Sequence, residues 1–139
     1  MSALPPLRVL MVSDVYFPRI NGVSTSIETF RSALTQENIS TTLIAPQYGD
    51  DAESHDIRRV PGFSIPFDPE DRFVNYRALR HTVLEEAAKH DLIHIQTPFA
   101  AHYAGLHAAR TLNKPVLASY HTLFEDYLHH YIPFLPASW

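Results

Sequence analysis

No cysteine stands anywhere in the 139-residue chain, glycine occurs only 4 times, and no apolar run approaches the roughly 20 residues that a membrane span needs. The missing cysteines exclude disulfide staples, a thiolate nucleophile and thiolate metal ligands, which fits a reducing compartment. The few glycines, at 22, 49, 62 and 105, nowhere spell the G-x-G-x-x-G of dinucleotide-binding loops or the G-K-[ST] of P-loops. A cradled NAD or ATP is therefore not expected. Positive charge is short as well: 11 Lys and Arg face 15 Asp and Glu, a net charge of -4 with a pI near 6.1. A sequence-independent hold on nucleic acid needs many cationic contacts to phosphate, so no nucleic-acid partner is expected. Met1 to Pro6 lacks the basic start and apolar stretch of a signal peptide, and the expected compartment is the cytoplasm.

What is present is an ordinary globular balance, 45% hydrophobic and 19% charged, in a length suited to one domain. Leu7 to Ser13 is apolar almost throughout and followed by turn residues, as in a strand buried on both faces. Asp14 to Gly22 forms a loop, after which Val23, Ile27, Phe30 and Leu34 recur at helical spacing, with Ser24 and Thr25 as candidate caps. Thr41 to Ala45 is the second strand, closed by Pro46, and Asp56 to Val60 a short third. The prolines and acids between Pro61 and Asp71 predict an irregular loop. A helix marked by Leu79, Val83, Leu84 and Ala87 follows, then a strand over Leu92–Ile95, a helix over Ala101–Leu112 and a strand over Pro115–Tyr120. Strands alternating with helices predict an α/β fold: a Rossmann-like parallel sheet with helices on both faces.

Ligands in such sheets sit beyond the carboxyl ends of the strands, so the loops starting at Ser13, Gln96 and Tyr120 are the places to look. Asn21-Gly22 precedes a helix, where free N–H groups favour a phosphate; the same pair also makes a plain turn before a capped helix. His121 can bond a sugar hydroxyl or pass a proton near neutral pH, or can simply be hydrogen-bonded into its loop. His94, inside an apolar strand, reads as a buried, satisfied histidine. No two of the 9 histidines stand four apart within one predicted helix, so no metal site is expected. Phe124, Tyr127, Leu128 and Tyr131 make an aromatic stripe that suits either the core or an apolar acceptor. Arg72, Arg77 and Arg80 are expected to open the second long helix and suit either a solvated face or an anionic lipid surface.

In order, Asp14-Val15-Tyr16-Phe17-Pro18 with Asn21-Gly22-Val23, then Gln96-Thr97-Pro98, then Tyr120-His121-Thr122 resemble family 4 of the retaining glycosyltransferases, from about Arg8 to Tyr131. The stretch Tyr120 to Tyr127 especially resembles members that glycosylate diacylglycerol or phosphatidylinositol. The resemblance implies a half of the two-domain GT-B fold: residues 1–139 as the N-terminal, acceptor-side domain, with the C-terminal donor-binding domain absent. It implies transfer of a sugar from a nucleoside-diphosphate sugar to a lipid or saccharide acceptor, with retention and without metal or cofactor. Gly22, with Asn21 and Val23, would lie against the donor diphosphate, and His121 would be the catalytic group beside the transferred sugar. Asp14, Tyr16, Gln96, Thr97 and Thr122 would line the acceptor or sugar pocket.

The family's donor-side signature, two glutamates eight positions apart, is missing, since no Glu here has another eight positions on. The chain also stops at Ser138-Trp139 without a closing helix, so it is expected to be cut short and inactive alone. Its own C-terminal domain is then an expected partner, and peripheral contact with the inner face of a membrane stays open. Two other readings remain. A non-catalytic lipid- or saccharide-binding module needs no second domain, and a nucleotide-sugar epimerase would need the glycine fingerprint that is missing.

Overall fold

The computed structural model describes residues 6–19, 22–49, 56–65 and 68–119, with the backbone alone for 63–65 and 68–73. In chain order the elements are β1 (Arg8–Val12), α1 (Gly22–Gln36), β2 (Ser40–Pro46), β3 (Ile57–Val60), β4 (Gly62–Ile65), β5 (Asp68–Val74), α2 (Tyr76–Ala87), β6 (Leu92–Ile95), α3 (Ala100–Leu112) and β7 (Val116–Ala118). Five strands form one parallel sheet in the order β3-β2-β1-β6-β7. The expected α/β fold with a parallel sheet is what the chain adopts.

Strand periodicity sorts the core into two faces. Val9, Met11, Leu43 and Ala45 point to one face and pack with Val23 and Ile27 of α1. Leu10, Val12, Ile44, Ile93 and Ile95 point to the other, beneath Leu79, Val83 and Ala87 of α2 and Ala101, Ala104 and Ala108 of α3. The small residues of α3 let it lie close on the sheet: a Cβ added at Gly105 would sit 2.7 Å from Ile95 Cγ1.

The helix ends follow from local chemistry. Asn75 caps α2 by accepting the Ala78 N–H at 3.2 Å through Oδ1. Asn38 after α1 and Asn113 after α3 take the left-handed conformation, φ 60° and 52°. Each is followed by a residue whose N–H reaches back into the last turn, Ile39 to the Leu34 carbonyl and Lys114 to the Ala109 carbonyl, both at 2.9 Å. Asparagine here stands where glycine is commoner.

Four sequence expectations change. Arg72 does not open α2 but lies in β5, ahead of the helix start at Tyr76. The stretch expected as an irregular loop is an antiparallel hairpin, with Gly62 opposite Val74 and Phe63 opposite Phe73. A two-stranded ribbon has only edge strands, so Pro69 removes no ladder bond that a central strand would need. Ser24 and Thr25 lie inside the first turn of α1 and do not cap it; the Ser24 hydroxyl instead donates to the Arg19 carbonyl at 2.7 Å. The buried stripe of α1 is Val23, Ser24, Ile27 and Arg31, while Phe30 is 49% exposed.

Candidate functional site

The chain runs from β1 outward through β2 and β3, then returns over the sheet to place β6 on the other side of β1. This makes the gap between β1 and β6 a switch point, where the following helices depart to opposite faces, α1 to one and α3 to the other. Such a divergence opens a crevice at the carboxyl edge of the sheet, the usual ligand position in this architecture. The ladder carries on into the rim: Ser13 N–H donates to the Ile44 carbonyl at 3.0 Å, Gln96 N–H to Val12 at 2.9 Å and Ser119 N–H to Ile95 at 2.9 Å. The loops after β1, β6 and β7 thus begin side by side.

Asp14 and Thr97 meet across the crevice. The Asp14 N–H donates to Thr97 Oγ1 at 2.8 Å, and the same hydroxyl donates back to Asp14 Oδ2. The Asp14 carboxylate also accepts the Ala101 N–H, at 3.2 Å to Oδ2 and 3.3 Å to Oδ1. It thereby supplies the N-terminal acceptor that α3 lacks locally, because Phe99 at its N-cap offers no side-chain bond. Burial pushes the Asp14 carboxyl up to about 6, against the lowering effect of hydrogen bonds from Thr97 and from the N–H groups of Ala101, Ala100 and Phe99.

Tyr16 is 4% exposed, with its ring in the α1-side core. Its hydroxyl donates to Glu28 Oε2, and Arg31 Nη1 donates to both Tyr16 Oη and Glu28 Oε2 at 3.3 Å. Arg31 also reaches Thr41 Oγ1 at 3.3 Å and Asp56 Oδ2 at 2.8 Å. The Arg59 guanidinium sits 5.4 Å from the centre of the Tyr16 ring. Burial, followed by the bond to Glu28, raises the Tyr16 hydroxyl above its ordinary value, so it stays protonated.

Of the residues singled out by sequence, Asp14, Gln96 and Thr97 are brought together at the switch point, with Gln96 and Thr97 1% and 2% exposed. Tyr16 turns toward α1. Gly22 and Val23 open α1, whose first turn carries no acidic residue, so its N–H groups face no carboxylate from within that turn. His94 is buried, its Nε2 2.6 Å from Ser119 Oγ. Asn21, His121, Thr122 and the stripe from Phe124 to Tyr131 lie outside the described residues. Sequence reasoning missed Arg31, which belongs to the stripe Val23, Ile27, Arg31 at strict four-residue spacing. A cation on an apolar stripe was the available signal. It also missed His90, buried with Nδ1 2.6 Å from the Glu86 carbonyl and Nε2 2.9 Å from Thr42 Oγ1.

A parallel α/β sheet with a switch point between β1 and β6 defines the broad class, a Rossmann-like domain. The family model of Glycosyltransferase Family 4 matches residues 20–139, and the chain belongs to that family. It is 36% identical to an alpha-monoglucosyldiacylglycerol synthase of Streptococcus pneumoniae, over 89% of this chain and 29% of that protein. It is 30% identical to a GDP-mannose-dependent alpha-mannosyltransferase of Corynebacterium glutamicum, over 100% of this chain and 35% of that protein. An alpha-monoglucosyldiacylglycerol synthase of Acholeplasma laidlawii is 28% identical, over 89% of this chain and 32% of that protein. The chain therefore spans about a third of the length of the curated relatives it matches.

Proposed function

We propose that this chain is the N-terminal, acceptor-side domain of a longer retaining glycosyltransferase that moves a sugar from a nucleoside-diphosphate sugar to a lipid acceptor. The observation that carries the reading is the family match over residues 20–139, joined to relatives named for glucosyldiacylglycerol synthesis and mannosyl transfer. The donor nucleotide is held mainly by a second domain, and the cleft closes between the two. On this side the N–H groups at Gly22 and Val23, with Asn21 before them, meet the donor diphosphate, as the dipole of a helix start favours. His121 and Thr122, which follow β7 in the sequence, are assigned to the transferred sugar by the family resemblance, and Gln96, directly after β6, to the same pocket.

The reaction runs without metal or cofactor. The acceptor oxygen bonds to the anomeric carbon on the face the leaving diphosphate vacates, and a phosphate oxygen of that diphosphate takes the acceptor proton. His121 positions and polarises the hydroxyl and forms no covalent bond. Among the described residues no helix is long and apolar enough to cross a membrane. Exposed Tyr76, Arg77 and Arg80 at the start of α2 suit peripheral contact with an anionic leaflet on the cytoplasmic side.

The test uses the longer protein with a panel of UDP- and GDP-sugars and vesicles containing diacylglycerol or phosphatidylinositol. The expected result is a glycolipid with the donor's anomeric configuration and one nucleoside diphosphate released per sugar. An inverted product removes the retaining assignment. Absence of transfer from every donor to lipid and saccharide acceptors alike removes the enzyme reading and leaves the binding module.

A further inference from the structure

We infer that Asp14 and Thr97 are a positioning pair that fixes the two walls of the switch-point crevice relative to each other, with the Thr97 hydroxyl proton committed to Asp14 and not to the substrate. The inference deepens the glycosyltransferase reading and rests on it. The loop after β1 leads to Gly22 and the start of α1, while the loop after β6 leads to α3 on the opposite face of the sheet. At the last rung of the ladder only the Gln96 N–H to the Val12 carbonyl, 2.9 Å, joins these strands by backbone. Beyond it the chains part.

The two bonds between Asp14 and Thr97 span this parting and close a small ring, since Thr97 Oγ1 accepts from the Asp14 N–H and donates to the Asp14 carboxylate. A hydroxyl has one proton, and here it is committed to Asp14, so Thr97 has none left for a sugar or acceptor oxygen. The carboxylate in turn is bound to the Ala101 N–H, which ties the β1 loop to the first turn of α3 as well. Thr97 is 2% exposed, consistent with a strut beneath the crevice floor. If the site uses Gly22 on one wall and the β6 and β7 loops on the other, their spacing depends on this joint. Displacement of reacting groups by about 1 Å costs on the order of 100-fold in rate.

The experiment compares Thr97→Val, Thr97→Ser and Asp14→Glu in the full-length protein, measuring kcat and KM for the nucleotide sugar together with thermal melting. Valine keeps the shape and removes the hydroxyl; the expected result is kcat lower by about 10- to 100-fold with the donor KM changed by less than about threefold. Serine restores the hydroxyl and should bring kcat back to within about threefold of wild type. Asp14→Glu keeps the charge but lengthens the strut, and should lower kcat by about tenfold or more, which carries the test if the valine variant does not fold. Wild-type kcat in folded Thr97→Val, a serine variant as slow as valine, or full turnover in Asp14→Glu overturns the inference alone. A wild-type protein that transfers no sugar sinks the glycosyltransferase reading and this inference with it.

Discussion

His94 Nε2 lies 2.6 Å from the Ser119 hydroxyl, so a histidine buried in β6 holds the residue that follows β7. The ring also meets Phe30 edge-on, 5.6 Å between centres at 74°. His94 therefore serves packing and the strand end. His94→Ala should cost about 2 to 4 kcal/mol, from the cavity and the lost bond, seen as a lower melting temperature with most turnover retained in the folded fraction. His121→Ala should do the reverse, lowering turnover by about two to four powers of ten at unchanged melting temperature and nucleotide affinity. Equal turnover in His121→Ala and wild type would take that residue out of the site.

Gly105 sets how closely α3 approaches β6. Alanine is the better helix former by about 1 kcal/mol, but its Cβ would stand 2.7 Å from Ile95 Cγ1 and 2.8 Å from Cδ1. Ile95 is 1% exposed, so its side chain can yield only against packed neighbours. Overpacking costs about 1 to 3 kcal/mol, so Gly105→Ala should destabilise despite its propensity. Adding Ile95→Ala should give a double variant less unstable than the sum of the singles. Denaturant melts of the four proteins supply the comparison, and a stabilised Gly105→Ala would mean that α3 rides higher on the sheet.

Asn113 ends α3 with φ 52°, a conformation in which a Cβ costs about 1 to 2 kcal/mol unless a short polar side chain offsets it. The expected order of stability at this position is glycine equal to or above asparagine, with alanine about 1 kcal/mol below. Asn38 after α1, φ 60°, should give the same ranking. Thermal melting of both series checks it; alanine matching asparagine at either position would contradict the left-handed ending there.

Much of this fold is legible because buried strands write apolar runs: the run Leu92–Ile95 matches β6 to the residue, and β1 and β2 match within one residue at each end. The hairpin of β4 and β5 was hidden because Pro66, Pro69 and three acids mask any alternation, and its pairing is a contact between strands that no local pattern records. Phe30 falls at helical spacing with Val23 and Ile27, yet it is 49% exposed. The structure buries Arg31 instead, since Tyr16, Thr41 and Asp56 converge on it from other elements and loops while Glu28 meets it from one turn back on α1. The rim was legible as three loop starts. That Asp14 would grip Thr97, 83 positions away, followed only from the sheet order.

Asp14 also makes the protein's stability depend on pH in a direction opposite to most carboxylates. Its carboxyl is raised from 3.8 to about 6 because burial outweighs the hydrogen bonds it accepts. A folded state that binds the proton more tightly than the unfolded chain is favoured by acid. The contribution is fully present below about pH 4 and is lost as pH rises through about 6. Asp14→Asn removes this linkage while keeping an acceptor for the Ala101 N–H. The unfolding free energy of the variant minus that of wild type should therefore climb between about pH 4 and 6, by at most about 1.4 kcal/mol per pH unit, and level off above about 7. Taking the difference cancels the other titrating groups, including Glu85 and Asp91, whose carboxyls are lowered by Arg58 and Arg8. Carboxyl-detected NMR supplies the direct reading, a midpoint near 6 for Asp14. A flat difference curve across that window would show that folding leaves the carboxyl unshifted, and a falling curve or a midpoint below 4 that the fold prefers the ionised form; either outcome contradicts the prediction.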